Sequence, residues 1–109
     1  MFKVVTDPRF THPVSVLVPV DGGHAEQTFR ATFRVLSSAK ADSHDLSTNA
    51  GIDAFLREVV VGLEDIADEE GRPLPYSDEL RSRVLDPIYV KLALLRTYTE
   101  ALGKARAGN

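Results

Sequence analysis

Apolar side chains recur at every second position in two runs near the start of the chain. Val14, Val16, Val18 and Val20 form the first. After Asp21-Gly22-Gly23 the alternation resumes as Phe29, Ala31, Phe33 and Val35, with Thr28, Arg30, Thr32 and Arg34 between them. Period two places alternate side chains on opposite faces of a strand. The pattern predicts a β-hairpin over 12–35, with one dry face and one wet face carrying both arginines. Asp-Gly and Gly-Gly supply the positive φ that a tight turn needs. Pro13 and Pro19 cannot donate ladder hydrogen bonds, so the first arm is expected at a sheet edge. Phe2 to Val5 is expected as a short leading strand.

The period then changes. Residues 37–50 are polar and small, and predict a flexible segment with at most a short helix capped by Ser37 or Ser38. Ile52, Phe55, Leu56, Val59 and Val60 fall at i, i+3, i+4, i+7 and i+8, a one-stripe helix. Asn49 fits its N-cap, and Gly62 a stop after three β-branched valines. Leu63 to Tyr76 reads as a second, smaller hairpin around Asp68-Glu69-Glu70-Gly71, because Pro73 and Pro75 forbid helix. Ser77 caps a helix with Asp78 and Glu79 in its first turn. Asp86-Pro87 ends that helix and opens the next. The last helix, about 87–105, carries two stripes: Ile88, Leu92, Leu95, Tyr98 and Leu102, and Val90, Leu94, Thr97 and Ala101. Two apolar sides mean a helix buried on both, or one with a side left for a partner. Residues 106–109 are expected as a frayed basic tail.

Early strands and later helices predict an α+β domain, with the antiparallel hairpin packed on C-terminal helices and a small hairpin between them. At 109 residues one domain is expected, spanning 1–109. The absence of cysteine excludes a disulfide scaffold, a cysteine nucleophile and thiolate metal sites. A net charge of −3 argues against general nucleic-acid binding. No apolar run approaches a membrane span of about 20 residues, and the N-terminus lacks a signal-peptide core. His12, His24 and His44 are scattered and read as solvated loop histidines without metal-site spacing. Aligning Gly71 with the glycine of an EF-hand loop puts Ile66 and Ser77 at ligand positions that need carboxylates, so the acidic run is a solvated turn. Serines near His44 and Asp45 share a polar loop, which does not make triad geometry. The Arg30 and Arg34 face lacks the aromatic interleaving of an RNA surface. No catalytic, cofactor or metal residue is assigned.

The layout as a whole is similar to a known family. It runs through Gln27-Thr28-Phe29-Arg30-Ala31-Thr32-Phe33-Arg34-Val35-Leu36 and Phe55-Leu56-Arg57-Glu58-Val59-Val60-Val61-Gly62-Leu63. It continues through Asp68-Glu69-Glu70-Gly71-Arg72-Pro73-Leu74-Pro75-Tyr76-Ser77 and closes with Pro87-Ile88-Tyr89-Val90-Lys91-Leu92-Ala93-Leu94-Leu95-Arg96-Thr97-Tyr98. This resembles the small tail assembly chaperones of long-tailed bacteriophages and prophages, over most of the chain and least over 37–50.

The resemblance implies a non-enzymatic protein of the host cytoplasm, absent from the finished virion. Its implied partners are the long helical tape measure protein, which it keeps soluble, and tail tube subunits. It also implies a longer frameshifted form, for which Gly103-Lys104 is a candidate slippery site. It carries no catalytic residue. A chaperone of a long amphipathic helix needs an apolar groove or stripe. The candidates are Tyr89, Val90, Leu94 and Ala101 on the last helix, with Leu74 and Tyr76 beside it. Self-association is a further expectation. The competing expectation is a permanent tail or head–tail part, such as a terminator or connector.

Overall fold

The structure is a computed structural model, and it describes the backbone of residues 1–107 and the side chains of 1–103. Two 12-residue strands, β1 (Arg9–Val20) and β2 (Gly23–Arg34), form the expected hairpin. They pair antiparallel from Arg9↔Arg34 to Val20↔Gly23. The loop is Asp21-Gly22, and only Gly22 takes a positive φ, 78°. A short helix α1 (Ser38–Asp42) and a longer α2 (Asn49–Val59) follow. The chain then returns to the sheet as β3 (Val60–Glu64), antiparallel to β2, giving the order β1-β2-β3. Two helices, α3 (Asp78–Leu85) and α4 (Ile88–Ala107), complete the α+β fold.

One face of the sheet is dry. Val14, Val16, Phe29, Ala31, Phe33, Val60 and Leu63 pack there against Ile52, Phe55, Leu56 and Val59 of α2 and Val90, Ala93, Leu94 and Tyr98 of α4. Tyr98 sits among Phe10, Phe33 and Phe55, with ring centroids 5.2–6.0 Å away. Its hydroxyl oxygen accepts a hydrogen bond from the Leu36 amide at 3.3 Å. On the wet face Arg9 and Arg34 lie directly opposite one another. Their repulsion is offset by Asp7, whose carboxylate is 2.9 Å from Arg9 and 3.4 Å from Arg34.

Several expectations are corrected. Phe2 to Val5 forms no strand and lies exposed. Thr48, not Asn49, caps α2, its hydroxyl accepting from the Gly51 amide at 2.9 Å. Gly62 does not stop that helix. It ends at Val59, and the β-branched run enters the sheet instead. The second hairpin therefore starts after Glu64. It is a tight loop closed by an Ala67↔Pro73 bridge and by Leu74 N donating to Ile66 O at 2.8 Å. The Asp68 carboxylate accepts from the Glu70 and Arg72 amides inside it. Residues 37–48 hold α1, capped by Ser37 as expected. His44 is not solvated: its ring lies edge-on to Phe55 and donates Nε2–H to Glu58 at 2.7 Å. Lys40 joins the same carboxylate at 3.0 Å. α4 continues two residues past its expected end, and the rest of the expected tail, 108–109, lies outside the described residues.

Candidate functional site

An exposed strand edge is the simplest docking place on a sheet, because its polar groups can pair with another chain. Here the β1 edge is blocked at several positions. Pro13 and Pro19 have no amide hydrogen to offer. The Pro13 carbonyl is 2.8 Å from its neighbour's ring nitrogen, His12 Nδ1. The Ser15 carbonyl accepts from Arg96 of α4 at 3.2 Å. On the other outer strand, β3, the Val60 carbonyl accepts from Arg81 at 3.2 Å. The prolines and the two carbonyl contacts disfavour strand addition along β1.

What stays open is the dry side of the hairpin beyond the reach of the helices. Twelve extended residues span about 40 Å, and the buried positions of β1 end at Val16, short of the turn. Val14 and Val16 are buried, Val18 is half-buried and Val20 is 50 % exposed. The uncovered length forms one wall of a groove of about 460 Å³. Val18 and Gln27 line that wall together with the edges of the buried Val16 and Phe29. Ile66 and Glu69 of the acidic loop form the opposite wall, and Val84, Pro87, Tyr89 and Val90 the floor at the α3–α4 junction.

Local sequence explains each piece. The Asp68 carboxylate folds the loop back so that Ile66 turns inward and Glu69 stays exposed. Gly71 takes φ +83°, which releases the chain from the turn. Ser77 starts α3 by accepting from the Leu80 amide at 3.0 Å. Asp86-Pro87 breaks the helix, and the Pro87 carbonyl restarts it by accepting from Val90 and Lys91. The break is fixed from below by Lys91, whose ammonium is buried, donates to the Asp86 carbonyl at 2.7 Å and lies 3.7 Å from Asp53.

Of the six residues singled out in the sequence, the structure brings two together here, Tyr89 and Val90. Leu94 is wholly buried in the core, so a partner cannot touch it on the folded chain. Leu74 is half-buried and Tyr76 exposed, and neither lines the groove. Ala101 lines a separate hollow of about 430 Å³ with Phe10, Thr11, His12 and Leu102. The two expected stripes on α4 are also told apart. The second stripe is the inward one, with Val90, Leu94 and Thr97 buried and Ala101 half-buried, joined by Tyr98 of the first, whose Ile88, Leu92 and Leu102 are each 49 % exposed. The sequence reading missed Val16, Val18, Phe29, Ile66, Glu69 and Val84. The signal for the hairpin members was in the length of the alternating run, longer than a neighbouring helix stripe can cover.

The groove holds no catalytic arrangement of side chains. Its polar groups are one amide, one carboxylate and one phenol, from Gln27, Glu69 and Tyr89. Among the described residues no group of three or more His, Asp or Glu side chains is placed to hold a metal ion. No helix of the described residues is long and apolar enough to cross a membrane. The carboxyls with shifted acidity lie elsewhere, in the α1–α2 region. Glu58 is held below the ordinary glutamate range by hydrogen bonds from His44 and then Lys40. Asp45 is lowered by the Ser47 hydroxyl and amide. Compared with protein families, curated proteins and solved structures, the chain matches none.

Proposed function

We propose that this chain is a non-enzymatic tail assembly chaperone of a long-tailed phage or prophage. It acts in the host cytoplasm, holds the long helical tape measure protein soluble, helps recruit tail tube subunits, and leaves before the virion is complete. The reading rests on the family resemblance of the hairpin, the acidic turn and the last helix. The observation that carries it furthest is the groove between the overhanging hairpin and the α3–α4 junction. Apolar grooves of this kind receive one face of an amphipathic helix. With prolines and side-chain contacts disfavouring strand addition along β1, the groove is the receptor surface this reading uses.

Co-expression with the long helical product encoded downstream, followed by affinity capture, tests the proposal. The expected result is a partner that becomes soluble and co-purifies. A partner that stays insoluble with this chain, and also with the chain extended by frameshift, overturns it. Mass spectrometry of purified virions separates the chaperone from a tail terminator or connector, because only a virion part persists in the particle.

A further inference from the structure

The walls of the groove are unequal in charge. The hairpin wall offers valines, Phe29 and a neutral amide. Ile66 and Glu69 come from the stretch Glu64 to Glu79, which holds seven carboxylates and one arginine, and Glu69 is the one charged side chain among the described residues that line the groove. That arginine is already taken: Arg72 lies 3.1 Å from Asp68 and 3.4 Å from Glu70. Glu69, which lines the groove, forms no ion pair among the described residues, and neither do Asp65 or Asp86. Asp86 is exposed beside Pro87 on the groove floor. The nearest buried cation, Lys91, is bound beneath the floor to the Asp86 carbonyl and Asp53. The result is an apolar trough with the Glu69 carboxylate as the one charged group at its lip.

We infer that the groove takes a cationic amphipathic helix, with its apolar stripe against the half-buried Val18, Val84 and Tyr89 and a row of Lys or Arg along the Glu69 lip. Apolar burial supplies the affinity, and the lip fixes orientation and rejects helices flanked by acid. The inference rests on the chaperone reading and adds to it the chemistry of the segment that is held. An acidic flank opposite Glu69 and Asp86 would set like charges against each other, which costs more than a missing attraction.

The test uses the full chain and two labelled synthetic helices of about 18 residues that share one leucine stripe, one flanked by lysines and one by glutamates. Fluorescence anisotropy is expected to show the lysine helix binding about tenfold or more tighter, with affinity falling as salt rises. Glu69→Lys, on an exposed loop, should reverse or erase the preference without changing the fold. Val18→Asp should weaken the lysine helix about tenfold. Equal binding of the two helices, or a preference indifferent to Glu69→Lys, overturns the inference. So does sedimentation showing a dimer that Val18→Asp dissolves, because the occupant is then a second copy of this chain. If the co-expressed partner is captured while neither synthetic helix binds, the chaperone reading stands and this inference alone fails.

Discussion

A methyl group on Gly51 has nowhere to go. A Cβ built there would lie 1.7 Å from the Asp45 carbonyl oxygen, which is backbone and cannot swing aside. That carbonyl is held in place because the Thr48 amide and hydroxyl donate to it, and the same hydroxyl caps α2 through the Gly51 amide. Gly51→Ala should therefore cost about 1–3 kcal/mol, despite alanine's better helix propensity. Urea denaturation gives the value, and an unchanged midpoint would show that the loop is not fixed. The same loop has a pH signature. Glu58 is lowered chiefly by the His44 hydrogen bond and then by Lys40, so the folded state holds the ionised form more strongly than the unfolded chain does. Its contribution is complete above the ordinary glutamate value, about 4.3, and is lost as pH falls through the lower folded value. Glu58→Gln should leave a shallower loss of Tm between pH 5 and pH 3 than the parent shows. Neither feature was legible beforehand. Residues 37–50 have no apolar stripe, and their order comes from polar contacts with α2 that leave no periodic trace.

At the scale of elements, α2 passes into β3 with no loop between them. Val59 is the last helical residue and Val60 the first of the strand. The β2–β3 register shifts between Thr32 and Phe33, so that Thr32 faces Gly62 while Phe33 faces Val60. The extra residue, Val61, lets Val60 and Leu63 both reach the core although they are three apart. This is why β3 was invisible in the sequence: a bulge breaks period two, and Val59-Val60 also completes the helical stripe before them. The hairpin, α2, α3 and α4 were legible because each keeps one period over two or more turns or pleats. The junction itself is secured from α3, where the Arg81 guanidinium donates to the Arg57 carbonyl at 3.1 Å and the Val60 carbonyl at 3.2 Å. Arg81→Met keeps most of the aliphatic stem and leaves both carbonyls without that donor. The expected cost is about 1–3 kcal/mol, with faster hydrogen exchange concentrated at the end of α2 and in β3. Uniform acceleration across the sheet would instead mean that Arg81 serves the whole core.

Over the whole molecule, core and groove meet along one line of α4, and burial decides which side of it a residue serves. The sequence placed Val90 and Leu94 on one stripe for a partner because period alone does not say which of two apolar faces the sheet will cover. In the structure the sheet covers the second stripe: Leu94 lies at 0 % exposure beneath it, while Tyr89, between the stripes, faces the groove. The groove's other wall comes from a hairpin some 60 residues earlier in the chain, and no local pattern on α4 announces it. This separation of roles is measurable. Leu94→Ala removes three buried carbon atoms from a closed site, and should cost about 2–5 kcal/mol. It should weaken partner capture only in proportion to the unfolded fraction, so that lowering the temperature or adding a stabilising osmolyte restores capture. Val18→Ser changes a half-exposed side chain at the groove wall and should cost about 1 kcal/mol or less, yet reduce capture of the partner at every temperature at which the domain is folded. Melting curves and capture yields on the same two variants separate the outcomes. If Leu94→Ala loses capture while fully folded, the partner reaches under α4, and the groove is an entrance to the binding site and not its floor.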